Sequence, residues 1–309
     1  GFLPRLTIRH TSLYEFGQVY VPILNWIMLI LVIIVVVVFG SSKNLAAMFG
    51  MAVSGTLAID TIFLLFVIWK VWHKPLIAAI AAGIILLGLD LIFLTSSSTK
   101  LLHGAWVPVV IAIAGFVLMS TWYKGHTIIS RERKNMEGTL AEFVAKLHHS
   151  HVPRTKGHAI YLGHHAGNAP LALHATLEQL HELHEHVVVV TVETADAAHV
   201  PEHSRVVFDG LGHPDDGVSH VTLRFGYKDV PNIPRTLESA RSKSHEIDFD
   251  PYDASYFISL TKPVIVGNRH MAKWRKLLYI TLARNAATQT DFFKLPLDRT
   301  VEMSSFVQL

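Results

Sequence analysis

Four long apolar stretches fill the first 123 residues, and after them the pattern changes to short strands and amphipathic helices. Residues 19–39 carry no charge, 44–69 carry only Asp60, 75–95 only Asp90, and 105–123 none. A bilayer core about 30 Å thick needs roughly 20 apolar residues in a helix, so each stretch predicts a membrane span. Residues 124–156 read as a linker, with an amphipathic helix over 131–149 carried by Leu140, Phe143, Val144 and Leu147. In 157–309, residues 159–162 predict a strand, 170–183 an amphipathic helix and 187–192 a second, β-branched strand. Strand, helix and strand at that spacing predict a βαβ unit with a parallel pair. Further strands are predicted at 205–208, 218–225 and 256–259, and helices at 231–242 and 271–285. The fold class is therefore a membrane α-helical region followed by an α/β domain.

Composition agrees: 50% of the 309 residues are apolar, 17% are charged, and mean hydropathy is +0.36. The net charge of +3 lies wholly in residues 1–123, which hold 6 basic and 3 acidic residues against 21 of each afterwards. The balanced second half offers no basic surface for nucleic acid. Cysteine is absent, which excludes disulfides, thiolate catalysis and Cys-based zinc sites, and suits a cytoplasm-facing domain. Arg5 and Arg9 lead into Glu15 with no short apolar region, so no cleaved signal peptide is predicted. Gly1 in place of Met makes the chain read as a C-terminal fragment.

Basic residues in short loops set orientation. Arg5, Arg9, Lys70, Lys74, Lys124, Arg131, Arg133 and Lys134 flank alternate ends, against Lys43 and Lys100 on the other side. The N-terminus and the C-terminal domain are thus expected in the cytoplasm. Trp26, Trp69, Trp72, Trp106 and Trp122 lie near predicted span ends, as an interfacial aromatic belt would.

Asp60 is the sharpest chemical signal, because it sits about 13 Å of helical rise from Trp69. An acid there faces a cation, water or a partner, or holds its proton, with Thr56 one turn earlier close enough to hydrogen-bond it. A hydrogen-bonded acid lining a helix interface is the structural alternative. Asp90, about 8 Å from the end of its span, is read as interfacial. Asn25 after Pro22 could expose carbonyls at a local break, although proline near a helix start is ordinary. Ala46, Gly50 and Ser54, followed by Gly55 and Thr56, repeat at helical spacing and predict close helix packing. In the second half, the loop 163–168 could bind an anion at a helix start, but it matches no GxGxxG or Walker pattern and reads as a plain turn. His181, Glu182, His184, Glu185 and His186 could be arranged as metal ligands, but without HExxH spacing they read as a solvated helix end. No GxSxG elbow is present. No enzyme, metal or cofactor is expected.

Several ordered motifs carry a resemblance. Gly17-Gln-Val-Tyr-Val-Pro-Ile-Leu-Asn-Trp26, the segment 41–56 (SSKNLAAMFGMAVSGT) and His103-Gly-Ala-Trp-Val-Pro108 are similar to span starts of the Kup (KUP/HAK/KT) family of bacterial potassium uptake transporters. Phe225-Gly-Tyr-Lys-Asp-Val-Pro-Asn-Ile-Pro234, Ser255-Tyr-Phe-Ile-Ser259, Trp274-Arg-Lys-Leu-Leu-Tyr279, Ala283-Arg-Asn-Ala-Ala287 and Leu295-Pro-Leu-Asp-Arg-Thr-Val-Glu302 resemble its closing segments. The resemblance implies the last four helices of a twelve-helix plasma-membrane carrier with an APC/LeuT-like inverted repeat, followed by a cytosolic domain. It implies K⁺ uptake, commonly with H⁺, and as partners the lipid bilayer, the earlier helices of the same transporter and room for a homodimer through the cytosolic domain. The family's main K⁺ positions lie in those earlier helices, so no residue here is assigned as the potassium site. Asp60, Thr56 and Asn25 stand as ion-pathway or proton-coupling candidates. An organic-substrate carrier of the same fold, or a cytosolic ligand-sensing module, are the alternatives.

Overall fold

The computed structural model describes residues 1–4, 9–10, 19–209, 217–241, 249–265, 271–286 and 288–309. Arg5, Glu15, Gly17, Gln18, Ser242 and Ala287, which figure in the sequence reading, lie outside the described residues. The chain divides into two compact units, Thr7–Ser120 and, with Gly1–Leu6, Thr121–Leu309.

The first unit begins with two-residue strands β1 (Arg9–His10) and β2 (Val19–Tyr20), paired antiparallel. It continues as helices α1 (Pro22–Phe39), α2 (Ser42–Phe66), α3 (Leu76–Ser98) and the start of α4 (Trp106–Glu137). Ser42–Val71, Ile80–Ser98 and Trp106–Glu137 are long and apolar enough to cross a membrane, and Leu24–Phe39 is a shorter apolar helix. Pro22 occupies the first turn of α1, where its missing N–H costs nothing, so it starts the helix and makes no break beside Asn25. The irregularity lies instead at the end of α2, where a π-helical turn, Val67–Val71, closes with Trp72 N–H donating to Val67 O at 2.9 Å. Two glycines fix the α1–α2 and α3–α4 connections. Gly40 caps α1 in the left-handed region, and Gly104 (φ 114°) sits where a Cβ would lie 3.0 Å from both Asn44 O and Phe39 Cε1.

The helix of the fourth predicted span continues past Tyr123, and the expected separate linker helix over 131–149 is not one helix. α4 runs 32 residues to Glu137, and the chain breaks only at Gly138 (φ 62°) before α5 (Leu140–His149), capped by the Thr139 hydroxyl. Gly138 is the first residue after Tyr123 that both weakens a helix and adopts its left-handed cap, which is why α4 runs through the charged stretch.

The second unit holds β3 (Arg154–Gly163), α6 (Leu171–Leu180), β4 (Leu183–Ala195), β5 (Val206–Asp209), β6 (Val218–Gly226), α7 (Ile233–Arg241), β7 (Ser255–Val264), α8 (Lys273–Arg284), α9 (Gln289–Phe292) and β8 (Thr300–Gln308). One six-stranded sheet has the order β5-β6-β4-β3-β7-β8, all parallel except β5 at its edge. The β3–α6–β4 unit is parallel, as its spacing predicts. Period-two alternation sorts the core. Ile160, Leu162, Val188, Val190, Tyr256 and Ile258 pack with Ile233 and Leu237 of α7, while Tyr161, Val187, Val189 and Phe257 pack with Phe143 and Leu147 of α5 and Leu173 of α6.

The motif 225–234 is a structural clasp. Gly226 leaves no room for a Cβ against Ala198 O, so only glycine lets the turn after β6 close on the segment following β4. Asp229 then accepts from Val200 N–H (3.0 Å), Gly226 N–H (2.8 Å) and the His199 ring (2.8 Å), with Arg205 Nη2 at 3.2 Å. Burial alone would raise this carboxyl, but those donors outweigh it and hold it at about 2. Asn232 Oδ1 accepts from Arg235 N–H and starts α7. Asp229→Asn should cost on the order of 2 kcal/mol at neutral pH, the worth of that depression. A depressed carboxyl stabilises above its unfolded value and loses its contribution as pH falls, so wild type and variant should converge between about pH 4 and pH 2 in thermal melts. A gap that stays constant across that window would refute the clasp.

Candidate functional site

Polar side chains in the membrane unit gather on the seam between α2 and α3. The stripe expected at Ala46, Gly50 and Ser54 is shifted by one residue at its start: Ala46 is exposed, and the buried positions of α2 are Ala47, Ser54 and Ala58. Seven- and four-residue steps keep these three on one face, whereas Ala46 falls beside it. Small side chains let α3 approach closely. A Cβ on Gly50 would lie 3.7 Å from Ser97 Oγ, and one on Gly83 would lie 3.1 Å from Leu65 Cδ1. Ser54 Oγ donates to Gly50 O at 2.5 Å and approaches Ser97 Oγ at 3.2 Å. The pairings Ser54–Ser97, Thr61–Asp90 and Leu65–Gly83 run in opposite directions along the two helices, as an antiparallel hairpin requires.

Asp90 is not interfacial. α3 extends to Ser98 rather than ending at 95, which places Asp90 about 12 Å of helical rise from the helix end. Its side chain is buried, and Thr61 Oγ1 donates to Asp90 Oδ2 at 2.5 Å. A carboxylate and a hydroxyl side by side offer hard oxygen ligands and a proton-carrying group inside an apolar hairpin. Asp60, the adjacent residue on α2, is exposed on the hairpin and points away from this pair. The Thr56 hydroxyl does not serve it, because that hydroxyl donates to Ala52 O at 3.0 Å, as threonines in apolar helices commonly do. Asn25 is exposed on α1 within regular helix. Thr56 and Asp60 thus lie one turn apart on an exposed face of α2, Asn25 lies apart from them on α1, and the residues that meet across the seam are Thr61 and Asp90. The signal that could have found them is an acid and a threonine on adjacent spans at matching depth.

A second polar cluster lies in the α/β unit. The chain builds β3, adds β4 and β6 on one side, then returns to add β7 and β8 on the other, so β3 and β7 flank the topological switch point, where α/β sheets commonly bind ligands. Here the protein fills that crevice itself. Arg133 and Glu137 of α4 form a buried pair, Nε to Oε1 2.7 Å, and Arg133 Nη1 donates to Thr261 Oγ1 (2.8 Å) on β7. Asn168 Nδ2 donates to Glu137 Oε2 at 3.4 Å, and His165 Nδ1 lies 3.6 Å from the same oxygen. The 163–168 loop is thus a strand-to-helix turn fastened to α4, with Leu140 N–H donating to Gly167 O at 2.8 Å. The Ser259 hydroxyl accepts from Ala172 N–H in the first turn of α6, a donor that an anion would otherwise have used.

The histidine group is not a helix end. His181 is the left-handed cap of α6, while His184 and His186 belong to β4, so the β-branched run pulls its polar leader into the sheet. Burial lowers the His184 imidazole, with Glu182 opposing. Among the described residues no three His, Asp or Glu side chains gather as metal ligands.

Residues 1–127 match the K⁺ potassium transporter integral membrane domain, and 156–309 match the K⁺ potassium transporter C-terminal domain. Over its full length the chain is 40% identical to a probable potassium transport system protein Kup of Rhodococcus jostii, covering 47% of that protein. It is 34% identical to one from Cutibacterium acnes and 37% identical to a Kup 1 protein of Paramagnetospirillum magneticum, each covered to 48%. The chain spans about half the length of these curated relatives.

The Arg133–Glu137 pair separates a structural plug from a dispensable contact. Arg133→Met should destabilise the protein by about 3–5 kcal/mol, because Glu137 is left charged and buried, whereas Arg133→Met with Glu137→Leu should recover most of the loss. Thermal unfolding of the three proteins measures it, and a double variant no better than the single one would refute the pairing.

Proposed function

The chain belongs to the Kup family of potassium transporters, and we propose on that basis that it is the C-terminal half of a carrier that takes K⁺ into the cell. The observation that carries this reading is the match of both K⁺ transporter domains in order along the chain, with relatives aligned to all of it. The rest follows as proposal. The transporter sits in the plasma membrane with an APC/LeuT-like inverted repeat, α1 and α2 closing the second repeat and α3 and α4 lying peripheral to it. The α/β unit is cytoplasmic, a reading supported by the excess of Lys and Arg in alternate loops, and is an assembly module that can pair with its copy. No cofactor or enzymatic step is needed, since the membrane potential supplies about 2.3 kcal/mol per charge per 100 mV.

Coupling to H⁺ is the finer part of the proposal. The Thr61–Asp90 pair sets a half-buried hydroxyl against a buried carboxyl between two apolar helices, where an uncompensated charge is costly, so this carboxyl is the candidate carrier of the coupled proton. Thr56 and Asp60 share the opposite, exposed face of α2, so in the whole transporter that face meets other helices or an aqueous path rather than lipid. Asn25 contributes the same kind of polar group on α1.

Full-length transporter carrying this sequence should restore rubidium uptake to a potassium-uptake-deficient strain, and residues 1–309 alone should not. Absence of uptake by the full-length protein would end the potassium reading. In that background, Asp90→Asn should lower uptake on the order of tenfold, about 1.4 kcal/mol, and flatten its pH dependence. Normal uptake with an unchanged pH profile would leave Asp90 a packing role, and the same comparison for Asp60→Asn tests the exposed face.

A further inference from the structure

Helix α8 is fastened along α4 where that helix leaves its charge-free stretch. Arg275 Nε donates to Thr121 Oγ1 at 3.0 Å, and Tyr279 stacks on Trp122 with ring centroids 5.2 Å apart. The Tyr279 ring fills the place a side chain at Gly125 would take, and Leu282 and Ala283 continue the contact beside Ile128 and Ile129. Residues 121 and 125 thus meet 275 and 279 in order, so α8 runs alongside α4 in the same direction, with its first turn nearest Thr121. Trp122, expected in the aromatic belt, is consequently buried under α8.

Depth follows from helix geometry. Counting from Trp106, Thr121 lies about 22 Å and Gly125 about 28 Å along α4, against a hydrocarbon core about 30 Å thick. The first turns of α8 are therefore at the level where hydrocarbon gives way to headgroups. At that level α8 exposes Trp274 (57%) and Leu277 (62%), one helical turn apart, with Lys273 beside them and Lys124 exposed on α4. The helix 273–284 carries four basic residues and no acid. An exposed tryptophan, a leucine and lysines at the boundary are the groups that anchor protein to a lipid interface.

We propose that the first turns of α8 are a membrane foot, with Trp274 and Leu277 seated among the headgroups and Lys273 and Lys124 meeting anionic lipid phosphates. The inference rests on α4 crossing the bilayer, and not on which ion is carried. The foot ties the α/β unit to the lipid surface at the side of its own connecting helix, and anionic lipid strengthens it through each lysine near the surface.

Residues 1–309 hold no cysteine, so Leu277→Cys and Leu297→Cys give single labelling sites in a transporter whose other half is kept free of cysteine. Leu297 is also exposed but precedes β8, which joins the α4–α8 cluster only at Val307, about 24 Å of strand beyond Thr300. Each protein, carrying an environment-sensitive fluorophore, is reconstituted into vesicles of phosphatidylcholine with phosphatidylglycerol. Lipids bearing a nitroxide on the headgroup should quench position 277 several-fold more than position 297, and aqueous iodide should show the reverse order. Lys273→Glu should reduce headgroup quenching at 277, as should vesicles lacking phosphatidylglycerol. Equal lipid quenching at the two sites would overturn the proposal. So would disulfide cross-linking of the unlabelled Leu277→Cys variant to a second copy of itself, since a protein would then cover this face. Loss of rubidium transport alone would not bear on it, which keeps this test separate from the potassium reading.

Discussion

A charge facing hydrocarbon is the arrangement the membrane unit has to avoid, and most of its features answer that constraint. Asp90 is turned into the α2–α3 seam and given a hydroxyl. The seam can be narrow there because Ala47, Gly50, Ser54 and Ala58 bring the helices close without bulky side chains between them. Serine and threonine hydroxyls elsewhere turn back on their own helices, as Thr56, Thr95 and Ser98 do, so they add no unmet donor to the apolar faces. Asp60 is the exception, and an exposed acid at that depth carries meaning only for helices that pack beyond this hairpin.

The same constraint ends at Lys124, and the rest of α4 changes partner instead of stopping. From Thr121 onward its buried face is protein: Trp122 and Ile129 against Tyr279, then Arg133 and Glu137 at the switch point of the sheet. One element thus supplies an apolar span and the polar plug of the crevice where an α/β sheet usually takes a ligand. Desolvating Arg133 and Glu137 is costly, and it is offset in part by Thr261, Asn168 and the Ser259 carbonyl, which bond Arg133 Nη1 and Glu137 Oε2 while Arg133 Nη2 stays buried without a partner. Such a pair specifies where α4 meets the sheet more than it strengthens the domain.

Much of this was legible in the residues. Long apolar runs with at most one charge located α2, α3 and α4, and the β-branched run at 187–192 with its preceding strand and helix located the parallel core pair. What was not legible depended on partners distant in sequence. β8 has no apolar alternation, since it is an edge strand whose Glu302 pairs with the Thr290 hydroxyl, so no periodicity could reveal it. Asp90 read as interfacial because span ends were set by hydropathy, while Ser96 to Ser98 continue the helix, with the Ser98 hydroxyl bonded to its backbone. His184 and His186 read as a polar helix end because local composition cannot tell a solvated cap from the start of a buried strand.

The family motifs gain a physical account from these contacts. Gly104 and Asn44 come from two motifs sixty residues apart, and they meet at a backbone approach that permits no side chain. Gly226 and Asp229 close another such approach, against Ala198 and Val200. Gly125 is not in any motif quoted for the resemblance, yet it is as constrained, because Tyr279 of the Trp274–Tyr279 motif occupies its side-chain position. That motif therefore does two things at once: its inward residues Arg275 and Tyr279 fix α8 to α4, and its outward residue Trp274 is left at the level of the bilayer surface. An inward-facing tryptophan there would add core, whereas an outward one at that level has the amphipathic ring that suits a lipid interface.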